Sequence, residues 1–98
     1  MIEYRRYRGF TTEEIETDLR SQGLDPIQDE DKPNFVYEPH SHDEANIIVV
    51  LGGEMEVKVG DETGTLRSGD KVTFPGKAIH SSRIGPEGCT YFWAESRA

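Results

Sequence analysis

From Asn34 onward the apolar residues recur in short runs, NFVYE, NIIVVL, EMEVKV, GTLR, KVTF, IHSSRI and TYFWAE, set apart by Gly-Gly, Gly-Asp-Glu, Ser-Gly-Asp and Gly-Pro-Glu-Gly. Runs this short, broken by turn residues and with no helical pattern between them, predict an all-β antiparallel sandwich or barrel. The alternation is plainest in EMEVKV, where Met55, Val57 and Val59 share one face of a strand and Glu54, Glu56 and Lys58 the other. Ahead of the strands, FTTEEIETDLRSQGLDP carries a helix start and a helix stop. Thr11 with Glu14 three residues on forms a capping box, and Phe10 and Ile15 stand where a hydrophobic staple closes. Gly23 and Pro26 end the element, giving a helix over about residues 12–22. Its apolar positions, Ile15 and Leu19, make one narrow stripe that can lie on a sheet. The acidic stretch DPIQDEDKPN then reads as a solvated connection. The expected organisation is a single domain, with an N-terminal arm and helix over residues 1–33 packing on a β-barrel over 34–98.

Composition changes this picture mainly by exclusion. The 98 residues suffice for one hydrophobic core, and a net charge of -8 argues against nucleic acid or an anionic membrane as partner, since both require a basic face. The arginines of YRRYRGF (Arg5, Arg6 and Arg8) read as a solvated edge or an arm against a partner subunit. No apolar run reaches the roughly 18 residues of a transmembrane helix, and the N-terminus lacks the apolar segment of a signal peptide, so a cytoplasmic protein is expected. The lone cysteine, Cys89, opens an apolar run and is expected to pack as a small hydrophobe.

The candidate chemistry lies in PHSHDEANIIVVLGGE, where His40 and His42 are two residues apart. In an extended chain such residues point to one face, so both imidazoles can converge on one ion, and Asn46 and Ile48 share that parity. The third histidine, His80, lies in FPGKAIH, after a turn and near another strand. A single histidine on a strand is more often a surface or core residue than a ligand, and a His-x-His pair also arises on exposed strands. The order of the whole constellation is what raises it above that background.

That order resembles the cupin superfamily, small jelly-roll barrels with two motifs that commonly hold a divalent metal. The first motif, Gly, five residues, His-x-His, three or four residues, Glu, six residues, Gly, falls on Asn34, His40, His42, Asn46 and Gly53. The second, Gly, five residues, Pro-x-Gly, two residues, His, three residues, Asn, falls on Gly69, Pro75, Lys77, His80 and Ile84. All three histidines match. Asn34 and Lys77 stand in for glycines, although Gly76 is one place early; Ile84 stands in for asparagine, and Asn46 for the usual glutamate ligand.

The resemblance implies a jelly-roll barrel with a short N-terminal helix, and a divalent transition metal (zinc, iron, nickel, copper or manganese) held by His40, His42 and His80 with Asn46. Glu44, of the same parity, is a second candidate for the fourth position. An amide oxygen is neutral where a carboxylate is charged, so the ion keeps its full formal charge and favours a small anionic ligand. The pocket walls are expected from Ile48, Val50, Met55, Val57, Val72 and Phe74, which barrel packing alone would also explain. No general base is evident, and no catalytic residue is assigned. The implied function is a metal-dependent enzyme, dioxygenase-like or isomerase-like, on a small anionic compound. The alternatives are a non-catalytic ligand-binding or sensing module, and a barrel that has lost its metal. A homodimer is expected, paired through the outer sheet and the N-terminal segment as in other cupins.

Overall fold

The structure, a computed structural model, describes residues 1–96. In chain order its elements are β1 (Ile2–Glu3), α1 (Thr12–Ser21), β2 (Ile27–Asp31), β3 (Val36–His40), β4 (Ala45–Val59), β5 (Glu62–Leu66), β6 (Lys71–Phe74) and β7 (His80–Ser96). Every strand pairing is antiparallel: β1, β6, β4, β7 and β2 are neighbours in that order, β3 adds to β7 and β5 to β4. The expected all-β jelly-roll is therefore what the chain forms.

Two strands carry the architecture. β4 and β7 pair along their whole lengths, from Ala45 opposite Ser96 to Val59 opposite His80. The first half of β4 also pairs with β6, and the second half with β5. Likewise the first half of β7 takes β3 and its second half β2. The sequence places breaks at Gly-Gly and at Gly-Pro-Glu-Gly; in the structure these are irregularities inside continuous strands, with register shifts between Val50 and Gly52 and between Gly53 and Met55. The inward parity consequently changes from even (Val50) to odd (Met55, Val57, Val59) across the corner. Gly53 has φ 73°, and a side chain there would run into the carbonyl of Gly88, itself at φ 82°. Glycine is what lets the two strands touch at the bend.

The sheet also takes in segments that the sequence places outside the barrel. The acidic stretch is not a connection: residues 27–31 form β2 on the edge of β7, with Ile27 opposite Trp93 and Asp31 opposite Cys89. Ile2 and Glu3 of the arm pair with Val72 and Lys71. The expected division at residue 33 thus falls inside one continuous sheet. β2 escaped notice because four of its five side chains are exposed, so it has no apolar face to read.

Two apolar clusters hold the fold. The inner one joins Val50, Met55, Val57, Leu66, Val72, Phe74, Ile84 and Tyr91 between the layers. The outer one packs Ile15 and Leu19 of α1, with Tyr7, onto Ile47, Val49, Phe92 and Ala94. α1 starts at the expected capping box, with Glu14 N–H donating to Thr11 Oγ1 at 3.1 Å and Thr11 N–H to Glu14 Oε1 at 2.8 Å. Phe10 meets the Tyr7 ring edge-on at 5.3 Å. The hydroxyl of Tyr7 donates to Asp18 Oδ2 at 2.6 Å, and burial together with that carboxylate pushes the phenol pKa up to about 12.

The two residues standing in for motif glycines both keep the backbone of glycine. Asn34 has φ 64° and Lys77 φ 67°. Asparagine accepts the left-handed region readily, whereas lysine holds it at a cost. At both positions the backbone takes the left-handed conformation that glycine adopts without strain.

Candidate metal centre

His40 ends β3 and lies directly opposite His80, the first residue of β7. His42 follows two residues on. The ring centroids are 4.4 Å (His40–His80), 4.8 Å (His40–His42) and 5.2 Å (His42–His80) apart, and one ring nitrogen from each falls within 4.8 Å of the others. The three histidines singled out by the sequence, 40 chain positions apart or less, are thus brought together, His40 and His80 by the β3–β7 register and His42 by the loop that follows β3.

Backbone contacts orient two of the rings. His40 Nδ1 sits 2.6 Å from the carbonyl of Glu38, and His80 Nδ1 3.1 Å from that of Ala78. A carbonyl only accepts, so Nδ1 is the donor in both, and in the neutral ring this leaves the lone pair on Nε2, as in metal-binding imidazoles. The His80 ring also stacks on Phe74, centroids 4.0 Å apart and planes 3° from parallel. His80 is only 6 % exposed; burial, together with the nearby His40 and His42, lowers its pKa below the ordinary 6.5 against the Ala78 contact that raises it. The neutral, ligand-competent form is the favoured one.

The loop carrying His42 is held by the turn after β6. Lys77 N–H donates to the His42 carbonyl at 2.6 Å and Ala78 N–H to the Pro75 carbonyl at 3.1 Å. A Cβ on Gly76 would stand 2.7 Å from the Asp43 carbonyl, so the close approach needs glycine there. The second motif therefore supplies His80 and also fixes the segment that bears His42.

Asn46 is 9 % exposed and borders the same cavity of about 370 Å³. Its Nδ2 reaches the Glu44 carbonyl only at 3.5 Å. Glu44 is exposed, and the group of convergent ligand atoms among the described residues consists of the three histidines alone. Of the expected walls, Ile48, Met55 and Phe74 line the cavity, while Val50, Val57 and Val72 belong to the packed core beside it. Cys89 is buried, its thiol pushed up to about 12 by burial and by Asp31, in keeping with a packing role.

Sequence reasoning missed the aromatic and acidic part of the wall. Tyr37, Tyr91, Trp93, Asp29 and Glu95 all line the cavity. The hydroxyls of Tyr37 and Tyr91 donate to one oxygen, Asp31 Oδ2, at 2.7 and 2.8 Å. Burial first, then these contacts, raises the pKa of both phenols. Positions 31, 37 and 91 carry no motif and meet only because β2 and β3 both pair with β7.

A rolled antiparallel sheet with histidines at the mouth of an apolar cavity defines a cupin. The chain belongs to the family of AraC-like ligand binding domains, whose model matches residues 27–97. Among solved structures it is similar to an RmlC-like cupin from Shewanella frigidimarina, at 23% identity and TM-score 0.68, covering 76% of this chain and 67% of that one. It is similar also to KdgF from Halomonas sp., at 23% identity and TM-score 0.65, covering 76% and 70%. A third is Bacillus subtilis oxalate decarboxylase, a protein with Mn(II) centres, at 24% identity and TM-score 0.67, covering 80% of this chain and 23% of that one. These likenesses establish the shared fold. No curated protein matches the chain at a significant level.

Proposed function

We propose that the protein is a metal-dependent small-molecule cupin, in which His40, His42 and His80, with Asn46 beside them, hold one divalent transition ion. The observation that carries this reading is the convergence of three ring nitrogens within 4.8 Å, with two rings turned by backbone carbonyls so that Nε2 is free to ligate. The donor set fits such an ion: imidazoles suit zinc, iron, nickel and copper, and three neutral donors leave the charge of the ion uncompensated. A bound ion would supply Lewis acidity toward an anionic oxygen or sulfur of the ligand. The chain's own contribution is to orient the imidazoles, to keep His80 neutral by burial, and to surround the ligand with Ile48, Met55 and Phe74.

Two uses of this site are consistent with it. Turnover of a small anionic compound, dioxygenase-like or isomerase-like, is the first. Binding without turnover is the second, and the family favours it, being one of ligand binding domains. A homodimer built on the N-terminal segment, where Met1 and Tyr4 are exposed, and a cytoplasmic location belong to the same proposal.

The test is metal content. After reconstitution with zinc, iron, nickel, copper and manganese in turn, at least one is expected to bind at one ion per chain by elemental analysis. His80→Ala should lower that stoichiometry sharply while circular dichroism still reports a folded barrel. Full retention in that variant, or no metal near one per chain in the parent, would leave the histidines as structural residues.

A further inference from the structure

The wall formed by β2, β3 and the second half of β7 has a chemistry of its own. Tyr37, Tyr91 and Trp93 line the cavity, together with the carboxylates of Asp29 and Glu95 and, among the described residues, no lysine or arginine. Neither carboxylate has an ion-pair partner among the described residues. Asp29 accepts one bond, from the adjacent Glu30 N–H at 2.8 Å. At the phenol hydroxyls, Asp31 accepts from both and, among the described residues, pairs with no cation. Three carboxylates, two of them exposed, thus act on a concave, largely apolar space with no compensating positive side chain among the described residues, which makes the potential there negative. His80 and Asn46, 6 % and 9 % exposed, also border this space, and among the described residues no donor or acceptor meets His80 Nε2 or the Asn46 amide oxygen, which marks it as a ligand site and not a packing gap.

The rings add to the same preference. The face of an aromatic ring is negative, and a phenol whose hydroxyl donates to a carboxylate gains electron density and becomes more so. The phenols of Tyr37 and Tyr91 are held protonated and do not act as bases, and what they bring to the cavity wall is the aromatic ring. A purely anionic molecule would meet the carboxylates, and a neutral one would gain nothing from them.

We infer that the cavity takes a ligand bearing a cationic group, an ammonium, free or alkylated, placed against Tyr37, Tyr91 and Trp93 with Asp29 and Glu95 balancing its charge. Combined with the metal reading above, this makes the ligand a zwitterion, with its acidic group toward the histidines; the cation site itself does not depend on the metal. At about 370 Å³ the cavity is of the size that holds a small metabolite.

Choline and 3,3-dimethylbutan-1-ol have the same shape and differ in having nitrogen or carbon at the branch point, so they isolate the charge. Trp93 is the only tryptophan of the chain, and its fluorescence reports occupancy. The titration uses the full chain as purified and again after dialysis against EDTA, so that loss of the metal and loss of the cation site are read separately. Choline is expected to bind at least about tenfold more tightly than the alcohol in one or both forms, the discrimination a desolvated cation–π contact gives. Asp29→Asn with Glu95→Gln should remove much of that preference by weakening choline alone. Equal affinity for the two compounds in both forms, tighter binding of the alcohol, or no saturable response to either, overturns the inference, whatever the metal content proves to be.

Discussion

The two faces of the first half of β4 divide the molecule's tasks. Ile47 and Val49 point outward, are 8 % and 0 % exposed, and are closed over by α1. Asn46 and Ile48 point inward to a cavity that side chains leave unfilled. Along one strand, alternate residues therefore serve packing and ligand. The outward face is tightly packed, so its loss is felt as stability; the inward face is open, so its changes are felt as binding.

The sharpest way to break the comparison is to damage the outward face alone. Leu19→Ala empties a site that is 1 % exposed, and should cost about 2–5 kcal/mol in urea unfolding. Metal stoichiometry of the folded fraction should stay unchanged. A parallel loss of metal would mean that the faces are not independent.

Next in size is a change confined to the inward face. Asn46→Glu adds a charged donor beside the three imidazoles, and is expected to tighten zinc binding by about tenfold and to weaken any anionic ligand correspondingly. Isothermal titration of parent and variant reads both effects. Unchanged zinc affinity in a folded variant would show that residue 46 does not face the ion, and Glu44 would be the position to test.

Lys77 lies between the two regimes. Lys77→Gly relieves a left-handed backbone (φ 67°) and should raise unfolding free energy by about 1 kcal/mol. Asn34→Gly, at φ 64°, should gain only a few tenths, since asparagine tolerates that region. If Lys77→Gly instead destabilises, the lysine side chain holds the turn that clamps His42.

The smallest effect is a pH dependence of the metal-free protein. With its folded-state pKa lowered, His80 binds its proton more readily in the unfolded chain. Its contribution to stability is thus fully present above about pH 6.5 and is lost as pH falls from there through the lowered folded value. Thermal unfolding in EDTA from pH 8 to pH 5 should show this slope, and His80→Gln should flatten it.

The parts of the fold legible in the sequence were those where chemistry repeats locally. EMEVKV alternates because one face is buried, and Thr11 with Glu14 announces a helix start because the box closes within one turn. The histidines were legible because spacing and turn residues recur in a motif. β2 was not, because an exposed edge strand needs no apolar face. The unity of β4 and of β7 was hidden because glycines that bend a strand look like glycines that end one. Asp31, Tyr37 and Tyr91 were hidden for a deeper reason: only long-range register makes them neighbours.

The pairing of β4 with β7 runs from Val59–His80, 21 residues apart, to Ala45–Ser96, 51 apart. Closing such separations is the slow, entropically opposed part of folding, which places the chain among the millisecond-to-second folders dominated by non-local contacts. The β4–β5 hairpin can form early around Gly60 and Asp61, but it contributes only Met55 to the cavity wall and none of the three histidines. The three histidines come together only once β3 has paired with β7 and the turn after β6 has closed on His42, so an ion held by them would not guide the chain to its fold. It would act afterwards, by slowing unfolding.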